Sequence, residues 1–189
     1  VACVKQNRAL VHHSLSLRYP NIEAPRYLKQ VHSSVIVNAD EAERLNAPAD
    51  AIWTDKTNLP LAILTADCVP VMISDGDIIC AIHAGWRGLV DDIIGKAMGI
   101  FSDPKRVKSW IGPHISQSNY EVGQELINIF ESDYPNAVSS LTQGDKYQVS
   151  LRAIAIQQLE ALGVKKVAYS ESCTYSSPLY YSHRAATHL

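Results

Sequence analysis

Residues 63–88 read Ile63-Leu64-Thr65-Ala66-Asp67-Cys68-Val69-Pro70-Val71-Met72-Ile73-Ser74-Asp75-Gly76-Asp77-Ile78-Ile79-Cys80-Ala81-Ile82-His83-Ala84-Gly85-Trp86-Arg87-Gly88. Two apolar runs, residues 59–73 and 78–84, predict neighbouring strands, and Asp75-Gly76-Asp77 between them predicts a tight turn. Reactive side chains interrupt both runs: Asp67 and Cys68 in the first, and His83, Trp86 and Arg87 at the end of the second. An unpaired buried carboxylate is costly, so an Asp-Cys pair within a core strand implies something that holds it. The small residues Ala84, Gly85 and Gly88 allow the backbone to turn sharply or a ligand to approach closely. The stretch therefore predicts a strand, a site loop and a helix.

A chain of 189 residues is most simply one domain, residues 1–189, with a substantial core. Net charge is −2, which gives no reason to expect nucleic acid or an anionic membrane as a partner. No apolar run is long enough to span a bilayer and no secretion signal stands at the start. The cysteines, Cys3, Cys68, Cys80 and Cys173, show no framework spacing, so reduced thiols in a cytoplasm are expected. The chain starts at Val1 without a Met, in what reads as a strand, and stops after Arg184-Ala185-Ala186-Thr187-His188-Leu189. Segments are expected to be missing near both places.

Taken in order, residues 1–4 are a short apolar start and residues 7–17 have helical spacing, with His12 and His13 as exposed polar residues. Residues 27–37 alternate as a strand that puts Gln30 and His32 on one face. Residues 40–46 form a charged, solvated turn. After Gly88, Leu89, Ile93, Ile94, Ala97 and Ile100 predict one amphipathic helix with Asp91 and Asp92 in its first turns. Residues 107–111 predict a strand, followed by the turn Gly112-Pro113-His114-Ile115. Residues 122–130 predict a helix with Leu126, Ile129 and Phe130 inward, residues 135–145 a loop, residues 151–162 a helix closed by Gly163, and residues 164–169 a strand. Residues 172–177 are loop. The class is α+β with a mixed sheet.

The candidate constellation is His32, Cys68 and His83. Their wide separations match no compact metal motif. Their chemistry says more: two imidazoles and a thiolate are a three-ligand zinc set that leaves a fourth position for water or substrate, the pattern of a catalytic site, and such an ion supplies hydroxide at neutral pH. The plain alternative is a buried Cys, a hydrogen-bonded His32 and a loop His83. A second reading makes Cys68 a nucleophile with His83 as its base, Asp67 or Asp50 as orienter and the loop at residues 85–88 as oxyanion hole. A third is copper, which takes two His, a Cys and an axial Met; Met72 and Met98 are poorly placed for it, and seven histidines are too few for a multicopper oxidase.

Arg87 suits a phosphate or carboxylate held bidentately, with a surface ion pair as the alternative. Trp86 reads first as core filling and second as a stacking surface. His114 reads as a turn residue that could sit at the pocket wall. Tyr175, Ser182, His183 and Arg184 could cap the pocket from the C-terminal side. Cys3 and Cys80 read as small core residues.

Gln30-Val31-His32, Thr65-Ala66-Asp67-Cys68-Val69-Pro70-Val71, His83-Ala84-Gly85-Trp86-Arg87-Gly88, Gly112-Pro113-His114-Ile115, Tyr120-Glu121-Val122 and Cys173-Thr174-Tyr175 occur in this order. Together they resemble the YfiH family, the laccase-domain or multicopper polyphenol oxidase group, through nearly the whole chain. The resemblance implies an α/β/β/α sandwich, once described as that of cysteine hydrolases. It implies metal ligands at His32, Cys68 and His83, usually for zinc, with copper in older names. It implies purine nucleoside chemistry: phosphorolysis of adenosine, inosine, guanosine or methylthioadenosine, and deamination of adenosine. A link to peptidoglycan precursors leaves a Cys-His amidase as the rival enzyme, and a non-catalytic metal-binding module is the non-enzyme rival.

On this resemblance the catalytic candidates are Cys68, His83, Asp67 and Arg87, with Asp67 orienting an imidazole or shuttling a proton. The substrate-binding candidates are Gln30, Arg87, His114 and Arg184. Expected partners are a purine nucleoside and phosphate, on a monomer. The chain departs from the family at residues 5–7, where a glycine-rich loop with an Arg is missing, and after Arg184, where a Gly-Arg segment is missing. It also carries His114 where a small residue is common.

Overall fold

A computed structural model describes residues 2–40, 48–139 and 146–187. The hairpin expected from residues 63–88 is its centre. Strand β5 (Val69–Ser74) pairs antiparallel with β6 (Ile79–Ala84), in a register that sets Pro70 opposite His83 and Ser74 opposite Ile79. The turn between them rests on Gly76 at φ +102°, and the Asp75 carboxylate accepts the N–H groups of Asp77 and Ile78 at 3.0 and 2.9 Å. The hairpin is the middle of a six-stranded mixed sheet. On one side of it, β7 (Lys108–Ile111) runs antiparallel to β5 and β11 (Lys166–Tyr169) parallel to β7. On the other side, β3 (Ala51–Thr54) runs antiparallel to β6 and β2 (Ile36–Asn38) parallel to β3.

Strand alternation divides the sheet into two faces. Val69, Val71, Ile73, Cys80, Ile82 and Ala84 enter the main core. There they meet helices α2 (Trp86–Val90), α3 (Ile93–Met98), α4 (Gln124–Phe130) and α5 (Leu151–Ala161). Each fully buried Ile or Leu contributes roughly 2 kcal/mol. On the opposite face Ile52 and Ala81 join Val37, Ala39, Ala49 and Leu59 in a smaller core under the loops. His83 has the parity of Ala81, so it emerges on this loop-covered face.

Minor sheets flank the main one. Strand β1 (Arg26–Tyr27) pairs parallel with β4 (Leu61–Ala62). Strand β10 (Tyr147–Val149) lies between β8 (Glu121–Val122) and β9 (Val138–Ser139). Helix α5 is the helix expected from the sequence, with the Ser150 hydroxyl accepting Ala153 N–H at 3.1 Å and Gly163 at φ +90° just past its end. The last described helix, α6, is His183–Thr187.

Several expectations need correction. The start is helix, not strand: α1 covers Ala2–Ser16, and Val4, Leu10 and Leu17 are exposed on or beside it. Cys3 is likewise exposed rather than a core residue. The strand expected over residues 27–37 survives as short pieces at either end, because the amides between them turn toward a carboxylate. The run 59–73 is interrupted between β4 and β5, so Asp67 and Cys68 precede the strand. The single helix expected after Gly88 is two: Asp92, at φ +57°, ends the first and caps the second through Gly95 N–H at 3.1 Å. In α4 the inward residues are Leu126, Ile127 and Phe130, and Ile129 is exposed. The charged turn at residues 40–46, beyond Asp40, and the later part of the 135–145 loop lie outside the described residues.

Candidate metal centre and cleft

The sheet brings together the three side chains that the sequence singles out. His83 stands near the end of β6, and Cys68 lies immediately before β5, at the neighbouring end of the same hairpin. His32 comes from the loop between β1 and β2. One ligand atom from each lies within 4.8 Å of the other two. The imidazoles of His32 and His83 meet edge to face, with centroids 4.8 Å apart. Gly85 is the floor beneath them. A Cβ there would stand 3.1 Å from Cys68 Sγ and 3.2 Å from His32 Cδ2, tighter than ordinary contact. Two imidazoles and a thiol that converge over a glycine fit a metal ion of the zinc or copper type.

Asp50, fully buried just before β3, hydrogen-bonds to two of these candidate ligands. Its Oδ1 receives His83 Nδ1 at 2.8 Å and the main-chain N–H of His32 at 3.0 Å. Its Oδ2 receives the N–H groups of Val31 and Ser33 and the Ser33 hydroxyl, at 3.2, 2.6 and 2.7 Å. These amides would otherwise serve a strand ladder, which is why residues 28–35 do not form one. His32 takes φ +61°, a left-handed conformation uncommon for a residue with a Cβ.

Burial pushes the Asp50 carboxyl up, but the hydrogen bonds from His83, Ser33 and Val31 outweigh it and hold the group below the usual carboxylate range. Burial pushes the His83 imidazole down, aided by His32 and opposed by Asp50. The pair is thus a carboxylate accepting from a neutral imidazole. Nδ1 carries the proton and Nε2 keeps the lone pair that a metal takes. Burial, with the charges of Asp67 and Asp50, pushes the Cys68 thiol up to about 11.

A cleft of about 810 Å³ opens over these groups. Arg87, exposed on α2, stacks its guanidinium 4.4 Å from the Trp86 ring centre and has no carboxylate partner among the described residues. Trp86 packs on the main core, as expected first, and also walls the cleft. Arg184 reaches the cleft from α6, donates to the Glu121 carbonyl at 2.8 Å and lies 5.2 Å from the Tyr120 ring centre. Gln30 also lines it, with its amide closed on the Leu64 main chain by two 2.7 Å hydrogen bonds.

Of two further expected site residues, Asp67 lines the cleft with its carboxylate turned to other partners, and His114 does not line it. Asp67, at φ +91°, touches neither imidazole through its carboxylate. Its Oδ1 accepts the Thr174 hydroxyl at 2.7 Å, and its Oδ2 accepts the Ser182 hydroxyl at 3.1 Å and Arg184 N–H at 2.7 Å. Asp50, not Asp67, is the carboxylate against the His83 imidazole, and Asp67 fastens the C-terminal wall. His114 is buried behind that wall, with Nδ1 2.8 Å from the Gly112 carbonyl, and is not part of the cleft surface. Tyr120 and Tyr181 line the cleft without having been singled out as candidates. The only sign of Tyr120 in the sequence is its place in the Tyr-Glu-Val motif, and Tyr181 carries none beyond its neighbours Ser182 and His183. Burial pushes the Tyr120 phenol up to about 12.

Fold and site together define a mixed α/β protein with a cleft built over a candidate three-ligand metal centre. The chain belongs to the family described as multi-copper polyphenol oxidoreductase laccase, whose family model matches residues 1–188. It is 36% identical over 195 residues to a purine nucleoside phosphorylase of Xylella fastidiosa, covering 96% of this chain and 74% of that one. It is 31% identical over 165 residues to purine nucleoside phosphorylase YfiH of Escherichia coli, covering 85% and 68%. Among solved structures, Neisseria meningitidis protein NMB0706 superposes with a TM-score of 0.87 at 32% identity, covering 96% of this chain and 75% of that one. The YfiH protein of Bacillus licheniformis gives 0.76 at 27% identity, covering 86% and 69%.

Proposed function

We propose that this chain is a zinc-dependent purine nucleoside phosphorylase, acting on adenosine, inosine, guanosine or methylthioadenosine, whose centre also deaminates adenosine. The observation that carries the reading is the convergence of His32, Cys68 and His83 within 4.8 Å at a cleft that also presents Arg87. The names of the relatives supply the reaction. Bound zinc would supply a Lewis acid and a source of hydroxide at neutral pH.

The chain's own residues account for the rest of the reaction. Arg87, splayed on Trp86 and without a carboxylate partner among the described residues, binds the phosphate bidentately. Phosphate oxygen then bonds to the ribose C1′ as the bond from C1′ to the purine nitrogen breaks. Tyr120 and Tyr181 offer ring surface for the base or sugar. Gln30, held on Leu64, and Arg184, held on Glu121, fix two sides of the cleft.

Two observations weigh against the rivals. A nucleophilic cysteine is favoured by a lowered pKa, whereas burial pushes the Cys68 thiol up to about 11. A copper site of the His-His-Cys type commonly takes an axial thioether, and Met72 packs against the smaller core and Met98 in the main core instead.

The test is metal analysis of protein purified without added metal, followed by nucleoside turnover with and without phosphate. About one zinc per chain and phosphate-dependent release of free base are expected. Arg87→Ala should raise the phosphate KM by about ten-fold or more. A zinc-loaded protein that releases no base from any of the four nucleosides would overturn the reading, and bound copper with phenol oxidation would replace it.

A further inference from the structure

We propose that Asp50 is the positioning residue of the metal centre, fixing the two imidazoles relative to each other, His83 through its ring and His32 through its main chain. The proposal rests on the metal reading above and adds a device to it. The carboxylate is fully buried, and each of its contacts is with a donor. Oδ1 is shared: the same oxygen takes His83 Nδ1 at 2.8 Å and His32 N–H at 3.0 Å. Oδ2 draws in Val31 N–H, Ser33 N–H and the Ser33 hydroxyl. Three successive amides around one anion form a nest, a shape that a carboxylate can template and a neutral side chain cannot.

His32 gains its left-handed φ of +61° from this nest, and that conformation directs its ring toward His83. The main chain closes the assembly a second time, since His83 N–H donates to the Asp50 carbonyl at 2.7 Å. Cys68 is the ligand that Asp50 does not touch. The two imidazoles are thus set by one residue before an ion arrives, and the thiol completes the set.

An amide in place of the carboxylate would turn its NH2 toward donors on one side or the other. The experiment is cobalt(II) titration of the metal-free full chain, followed by the thiolate-to-metal absorption band, with the His83 tautomer read by ¹⁵N NMR. Asp50→Asn should weaken cobalt binding by about ten- to a hundred-fold and move the His83 proton from Nδ1 to Nε2. Ser33→Ala removes one donor on the His32 arm only. It should weaken binding several-fold and leave the His83 tautomer unchanged.

Wild-type affinity and tautomer in folded Asp50→Asn would overturn the proposal. If that variant does not fold, Ser33→Ala decides alone, and unchanged affinity overturns it. A wild-type chain that takes no cobalt would remove the metal reading and this proposal with it, whereas normal wild-type binding with indifferent variants removes this proposal only.

Discussion

The Asp67 carboxylate accepts the main-chain N–H of Arg184 at 2.7 Å across 117 residues of chain. The residue next to a candidate metal ligand therefore holds the segment that carries the cleft's C-terminal wall. Asp67→Ala should strip the Thr174 and Ser182 hydroxyls and the Arg184 amide of their acceptor. The expected cost is about 3 kcal/mol of stability, with nucleoside KM rising more than kcat falls. Denaturant unfolding and steady-state kinetics check both; an unchanged KM in a folded variant would contradict the assignment.

Gly85 sets how closely Cys68 and His32 approach. In Gly85→Ala the new methyl meets Sγ at 3.1 Å and the imidazole at 3.2 Å. About 1–2 kcal/mol of stability should be lost and cobalt binding should weaken while the fold persists. Circular dichroism with cobalt titration tests this, and wild-type affinity would show that the ligands have room to spare.

The thiols should differ widely in reactivity in the metal-free protein. Burial raises the Cys173 thiol, but hydrogen bonds from Ser116 and Ser176 outweigh it and bring it down to about 6. Burial puts Cys68 at about 11 and Cys80 at about 12. At pH 7 iodoacetamide should label Cys173 at least about ten times faster than Cys68 or Cys80. Peptide mass spectrometry over a time course gives the order, and Cys68 reacting first would revive the nucleophile reading.

Acid should destabilise the metal-free protein before its carboxylates titrate. Burial lowers the folded-state pKa of His83 and His114. Between those lowered values and the unfolded value near 6.5, the unfolded chain binds more protons, so stability falls with falling pH. Asp50, with its folded pKa lowered, contributes stability above an unfolded value near 3.9, which is lost only as the pH falls through its folded pKa. Thermal unfolding at pH 7.5 and 5.5 should therefore show a lower Tm at 5.5; an equal or higher value there would contradict the buried neutral histidines.

What could be read from the sequence was local. The β5–β6 hairpin is written in two apolar runs and a Gly-centred turn, and α5 in its period, Ser150 and Gly163. His32, Cys68, His83 and Arg87 were recognisable because their chemistry and motif order are unusual. The errors arose where a distant partner overrides local preference. Residues 28–35 alternate like a strand, yet their amides serve Asp50. Asp67 looks like a neighbour of the chemistry, yet its acceptors are spent on Thr174, Ser182 and Arg184. The break at Asp92 is a cap inside a correct helical period, and α1 carries apolar residues that bury little.

The turn at Asp75–Asp77 lies at the far end of the hairpin from the cleft, yet it keeps the count that decides which side of the sheet His83 faces. Side chains alternate along a strand, so a slip of β6 by one residue against β5 would rotate His83 onto the helix-packed side. The sheet would still form, with an imidazole forced into the apolar core and Cys68 left without its opposite ligand. The spacing between Cys68 and His83, which resembles no metal-binding motif, is thus a ruler measured along a hairpin, kept by the register that sets Pro70 opposite His83.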